Sequence, residues 1–245
     1  MKPEKAALLD LVSKVDILIE NFAYGRMQSW GLSYEELSAI NPKLVYCSLS
    51  GFGHDGPYRD MRAFDTVIQG MAGVMSLTGT ADYPPTKIGI SSADNVGAAT
   101  GTMAIIGAMH HTRRTGRGQH INISMHDVQG WMSGAIWAYL DTSEGPQRQG
   151  NHHAFLAPQN LYETADGMIV IEVETQLQLD AVINMLNLEA CSLEDAKLHE
   201  AEFDQHLKTW AASRDIEGAL SECENQGIPA AKVQSMEEIA ESAHT

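Results

Sequence analysis

The sequence predicts an α/β chain: an open, mainly parallel sheet with flanking helices, followed by a smaller α+β domain. Up to about residue 145, short β-prone runs alternate with helical ones, the order that builds parallel strands through helical crossovers. Beyond about residue 160 a hairpin is followed by several helices and one short strand. Charge divides at the same place, with 14 acidic and 12 basic residues in 1–159 against 18 and 4 in 160–245. The expected organisation is a large domain over 1–145, a linker over 146–159 and a small acidic domain over 160–245.

Taken in order, "VDILIEN" reads as a buried strand. "SYEELSAIN" follows as a helix, with Ser33 as N-cap, Glu36 completing a capping box and Asn41-Pro42 ending it. "KLVYCSLSGFG" is a second strand, closed by the turn-rich "GHDGPY". "FDTVIQGMAGVMSLTG" carries Phe64, Val67, Ile68 and Met71 at helical spacing, and "TADYPPTKIG" is a loop. A long helix runs from Asp94 through "NVGAATGTMAIIGAMHHTRRTGRG", where His110, His111, Arg113 and Arg114 suit a last turn and Gly116 a left-handed cap.

"QHINISMHD" then alternates Ile121, Ile123 and Met125 with polar neighbours as a strand, and Asp127 is placed to cap the helix "VQGWMSGAIWAYL". "DTSEGPQRQGNHH" is linker-like. "NLYETADGMIVIEVE" reads as a hairpin about Ala165-Asp166-Gly167. Helices are expected from about Leu177 to Asn187, Leu193 to Ser213 and Asp215 to Asn225, then a short strand "IPAAKV" and a last helix.

Composition narrows the function classes. A net charge of −16 opposes binding to nucleic acid or anionic lipid, and no run approaches the roughly 18 apolar residues of a membrane span. The first residues show no signal-peptide pattern, and three cysteines without metal-type spacing fit a reducing compartment. A cytoplasmic protein without nucleic-acid or membrane partners is expected. No dinucleotide fingerprint, P-loop or G-x-S-x-G elbow occurs. The His110/His111 and His152/His153 pairs are sequence neighbours that point apart on a helix, so no metal site is expected.

The carboxylate of Asp94 has two readings. Asp is a preferred N-cap, so a structural cap is the plain one. The other starts from Gly97, Ala98, Ala99 and Gly101, which leave the helix start free of bulk so that another backbone or a ligand can approach closely. A carboxylate there is ionised at neutral pH and able to accept an acyl group, beside a helix end that favours negative charge. Spacing alone favours the cap; physical chemistry permits the second reading without selecting it.

Several segments together resemble one family. "VDILIENFAYG", "LSYEELSAINPKLVYCSLSGFGHDGPY", "FDTVIQGMAGVMSLTG", "ISSADNVGAATG", "TGRGQHINISMHD" and "GNHHAFLAPQNLYETADG" occur in the order and spacing of the family III CoA-transferases. That group includes formyl-CoA transferase, carnitine CoA-transferase and the 2-methylacyl-CoA racemases. The resemblance implies that Asp94 is the nucleophile through which CoA passes from an acyl-CoA to a carboxylic acid. It also implies that Asn21, Phe22, Gly25 and Arg26 contact CoA and that Ser50, Gly51, Phe52 and Gly53 form another wall. Coenzyme A and acyl-CoA are then substrates, with no tightly bound cofactor, and the full-length protein is an interlocked homodimer.

Departures from the family pattern refine this. Racemases carry a histidine where "RAFD" has Phe64, and phenylalanine cannot move a proton, which favours transfer. The glycine-rich closing loop of formyl-CoA transferases is absent. The resemblance further implies an internal portion of the family fold, short of an initial βα unit and of a C-terminal segment. Two alternatives accompany transfer: a racemase-like enzyme, or a catalytically incomplete fragment that binds only CoA or a partner chain.

Overall fold

A computed structural model describes residues 3–134 and 147–244. The chain forms two compact units, residues 1–148 and 149–245. In the first unit the order is α1 (Pro3–Val12), β1 (Ile17–Glu20), α2 (Arg26–Ser29), α3 (Tyr34–Ile40), β2 (Val45–Ser50), α4 (Asp65–Met71), α5 (Val74–Leu77), α6 (Ser92–Thr115), β3 (Gln119–Ser124) and α7 (Met125–Met132).

The three strands pair in the order β1-β2-β3, all parallel, as the alternating pattern predicts. Residues on successive positions of β2 face opposite sides. Val45 and Cys47 pack with Ile121, Ile123, Ile105 and Ala108 against α6, while Tyr46 packs with Val12, Met27, Leu32 and Leu37 under α1 to α3. The capping box of α3 forms as read, with Ser33 and Glu36 exchanging side-chain and backbone hydrogen bonds.

Several expectations need correction. β1 is an edge strand, not a buried one, and Ile19 is 63% exposed. α1 was not expected, because its apolar Leu8, Leu9 and Val12 are scattered among charges, yet they close one side of the sheet. The run "FDTVIQGMAGVMSLTG" is two helices, broken where Gly73 takes φ 84. α7 starts at Met125, capped by the Ser124 hydroxyl, which accepts the Asp127 amide, so Asp127 lies inside the helix it was expected to cap. The rest of "VQGWMSGAIWAYL" and the start of the linker-like stretch fall on residues 135–146, outside the described residues.

The second unit comprises β4 (Gln159–Glu163), β5 (Met168–Glu172), α8 (Gln176–Leu186), α9 (Leu193–Leu198), α10 (Glu200–Ala212), α11 (Ile216–Gln226), β6 (Ala230–Lys232) and α12 (Met236–Ala240). β4, β5 and β6 form an antiparallel sheet in that order, whose Ile169, Ile171 and Val173 pack with Leu179, Phe203, Leu207 and Trp210. The helix read over Leu193 to Ser213 is divided at His199.

Segment 149–158 also belongs to this unit. Ala157 is fully buried, and the His152 Nε2 lies 2.8 Å from Asp204 Oδ2. Asp204 is 5% exposed and also accepts hydrogen bonds from Asn160 Nδ2 at 2.7 Å and Tyr162 Oη at 2.8 Å. Burial alone raises its pKa, but the bonds from His152, Tyr162 and Asn160 outweigh it and hold the carboxyl below its usual range. The stabilisation is therefore complete above about pH 5 and is lost as pH falls below the unfolded value of about 3.9 toward the folded one. Asp204→Ala leaves the buried Tyr162 hydroxyl unpaired, and a loss of about 3–5 kcal/mol is expected in this unit's unfolding transition. Denaturant titration followed by Trp210 fluorescence measures it.

Candidate active site

The parallel strands end at a cleft of about 610 Å³ in the first unit, within the usual size range of small-ligand sites. Its walls include the loop after β1, the end of β2, the segment through Arg62 to Phe64, and the first turn of α6. Of the residues singled out from sequence, Asn21, Phe22, Arg26, Ser50, Gly51, Phe52 and Asp94 all line it. Gly25 and Gly53 do not. Gly25 (φ 77) is the left-handed N-cap of α2, and Gly53 (φ 73) turns the chain beside an adjoining pocket lined by Asp55, Asn122 and Asp127. Both serve the backbone of the walls.

The other wall residues are held from within. Asn21 donates its side-chain amide to the Leu49 carbonyl, tying the loop to β2. The Phe22 amide donates to the buried Glu20 carboxylate at 2.8 Å, and its ring meets Trp30 edge-on at 5.2 Å. Phe52 is buried against Tyr58 and His126. Ser50 Oγ is shielded from solvent and has no hydrogen-bond partner among the described residues. Gly51 sits where β2 leaves the sheet, and a Cβ there would lie 2.5 Å from the Ala63 Cβ. Gly51→Ala is expected to push the two walls apart and to cost about 1–3 kcal/mol, read as a lower melting temperature together with weaker ligand binding.

Asp94 is not the cap of its helix. α6 starts at Ser92, so Asp94 is the third residue of its first turn. The Ala93 amide, which has no partner within the helix, is instead taken by Asp65, whose Oδ1 accepts it at 2.8 Å. Asp65 Oδ2 accepts Gln69 Nε2 at 2.7 Å. Gln69, fully buried, also donates to the Ile90 carbonyl and accepts the Ile88 amide, which fixes the approach to α6. The capping duty thus falls to a residue 28 positions earlier. The Asp94 carboxylate is left exposed, with no hydrogen bond or ion pair among the described residues.

Its place in a first turn favours ionisation. Partial burial, and secondarily the Asp65 carboxylate, nonetheless carry its pKa above the ordinary value. Of the small residues that follow it, Gly97 and Gly101 are buried and serve packing within the chain, which corrects their reading as an approach for another backbone or a ligand, while Ala98 and Ala99 stay exposed. A Cβ at Gly97 would sit 3.0 Å from Met125, and one at Gly101 3.4 Å from Leu49. α6 lies close on the sheet because these positions carry no side chain.

Sequence reasoning missed Asp65, Gln69, Arg59 and Arg62. Arg59 and Arg62 line the cleft with Arg26, and among the described residues Asp94 is its only lining acid. Two arginines within four residues of a turn segment, in a chain of net charge −16, were the available signal. Asp65 offered none, since at the start of α4 it looks like an ordinary first-turn acid. Among the described residues no helix is long and apolar enough to cross a membrane.

Fold and site together define an α/β protein that presents one unpaired carboxylate in an arginine-lined cleft. The chain matches CoA-transferase family III over residues 1–245 and belongs to that family. It is similar to the succinate–glutarate CoA-transferase of Agrobacterium fabrum, with 36% identity over 97% of this chain and 62% of that protein. It is also similar to the succinyl-CoA–D-citramalate CoA-transferase of Chloroflexus aurantiacus, with 32% identity over 99% of this chain and 63% of that protein. Among solved structures, a CAIB/BAIF family protein from Brucella suis superposes with a TM-score of 0.86 at 30% identity, over the whole of this chain and 67% of that one. The chain therefore spans just under two-thirds of the length of these curated relatives.

Proposed function

We propose that this chain carries the acyl-transfer centre of a CoA-transferase and moves CoA from an acyl-CoA to a carboxylic acid through Asp94. The observation that supports it most is the free carboxylate: Asp65 does the capping, and Asp94 is left unpaired at the cleft wall with a raised pKa. Such a carboxylate is still ionised near neutral pH yet more basic than usual, which suits attack on a thioester. Membership of the family and the acids in its relatives' names, succinate, glutarate and citramalate, favour dicarboxylic substrates.

In the proposed sequence an Asp94 oxygen attacks the thioester carbonyl, and the C–S bond breaks to give a mixed anhydride and CoA thiolate. The thiolate attacks the Asp94 carbonyl, releasing the donor acid and leaving an aspartyl-CoA thioester. The acceptor carboxylate attacks that thioester, expelling thiolate and forming a second anhydride. The thiolate then takes the acceptor's acyl carbon, and Asp94 is restored as a carboxylate. One difficult exchange becomes a series of easier ones. Binding falls to the Phe22–Arg26 wall and to the Ser50–Phe52 turn. Phe64, 83% exposed on the cleft wall, has no group to take an α-proton, which counts against racemisation.

A soluble, cytoplasmic, dimeric protein is part of the same reading, supported by its three free cysteines and its family. Incubation with succinyl-CoA and glutarate, followed by chromatography of the CoA esters, is expected to show glutaryl-CoA and free succinate in equal amounts. Binding of CoA without any exchange overturns transfer and leaves a CoA-binding role.

A further inference from the structure

Three of the chain's eight arginines line the Asp94 cleft, and they are not equivalent. The Arg26 guanidinium lies over the Trp30 ring at 5.7 Å, and that of Arg59 over the Tyr24 ring at 4.7 Å. Both are spread on the aromatic wall that follows β1, and Arg59 also faces Asp60 at 3.6 Å. Arg62 has no aromatic platform, hydrogen bond or ion pair among the described residues. Three residues later in the chain, Asp65 holds the amide of Ala93, the neighbour of Asp94. The segment that carries Arg62 is therefore anchored to the turn that carries the carboxylate.

We propose that Arg62 binds the far carboxylate of a dicarboxylic acyl group whose near carbonyl is held at Asp94, and so selects dicarboxylic over monocarboxylic acids. This rests on the CoA-transfer reading. A guanidinium offers five donors in a planar fork and accepts a carboxylate through two parallel bonds. Arg62 has all of these donors free. Its wall neighbours Ala63 and Phe64 are apolar, a surface for the methylenes between the two carbonyl carbons of a diacid. Arg26 and Arg59, each laid over an aromatic ring, are left to face the phosphates of CoA. Selectivity and CoA binding are thereby assigned to different arginines.

Calorimetric titration with succinyl-CoA, butyryl-CoA and CoA tests this, because the first two differ only in a terminal carboxylate against a methyl group. The unsubstituted protein is expected to bind succinyl-CoA about ten- to a hundredfold more tightly than butyryl-CoA. Arg62→Gln is expected to bring that ratio close to one, and Arg62→Lys, which keeps the charge but loses the fork, to retain part of it. Arg59→Gln is expected to weaken all three ligands together. If Arg62→Gln weakens CoA itself as much as succinyl-CoA, Arg62 belongs to the phosphates and the proposal is overturned while CoA transfer stands. An unsubstituted protein that binds both esters equally also overturns it. If none of the three ligands binds, the function falls with it.

Discussion

Replacing Asp94 with Asn is expected to lower CoA transfer by roughly 10⁴-fold or more, the scale on which covalent catalysts lose activity when their nucleophile is removed. The amide has nearly the size and shape of the carboxylate but no anionic oxygen to attack a thioester. Structure has little to lose, because Asp94 is exposed and makes no hydrogen bond or ion pair among the described residues. Removing one negative charge from a first turn forfeits about 0.3–1 kcal/mol, but it also relieves the desolvation and the Asp65 repulsion that raise the Asp94 pKa, so the two effects offset. The melting temperature is therefore expected to stay within a few degrees, and acyl-CoA binding to persist. A variant that binds but does not exchange assigns Asp94 to the chemistry, whereas exchange at the original rate refutes it.

Asp65 is expected to show the opposite balance, with a large effect on stability and an indirect one on rate. Its carboxylate bonds both the Ala93 amide and the Gln69 side chain. Asp65→Ala removes a helix cap, worth about 0.5–2 kcal/mol, and leaves the buried Gln69 amide short of an acceptor, worth about 1–3 kcal/mol. At about 2–4 °C per kcal/mol for a domain of this size, the first unit is expected to melt several degrees lower. The freed first turn also displaces Asp94, and misplacing a reacting group by about 1 Å can cost on the order of 100-fold in rate.

Asp65→Asn separates the roles. Its carbonyl oxygen can still cap Ala93, but its amide meets the Gln69 amide donor to donor. Gln69 cannot turn over without losing its bonds to Ile88 and Ile90. A stability loss of about 1–3 kcal/mol is expected. The substitution also removes a negative charge that helps to raise the Asp94 pKa. Since the ionised form attacks, the acid limb of the rate profile follows that pKa, and Asp65→Asn is expected to move it to lower pH. A limb that stays in place, or moves up, contradicts the electrostatic coupling.

These two residues show how far the sequence reaches. The parallel sheet was legible because its strands carry β-branched runs and its long helix has well-marked ends, and both are local signals. α1 was not, because its apolar residues gain meaning only from the sheet face they cover. For Asp94, spacing favoured a cap over a nucleophile, and the contact that reverses this comes from Asp65, 28 residues away. Likewise Gly97 and Gly101 announce a close approach, but only the fold shows that Leu49 and Met125 make it. The family motifs led to the cleft walls, while Arg59 and Arg62 lie in an irregular turn where no periodicity marks a side chain as facing a site.

The central claim is that Asp94 carries the acyl group and then CoA. It is tested most directly by incubating the protein with succinyl-CoA and hydroxylamine, which cleaves anhydrides and thioesters to hydroxamates, and mapping the product by peptide mass spectrometry. The account predicts a hydroxamate on Asp94 alone, formed only when succinyl-CoA is present. Exchange that proceeds with Asp94 unmodified, or a hydroxamate on a different carboxylate, would contradict it.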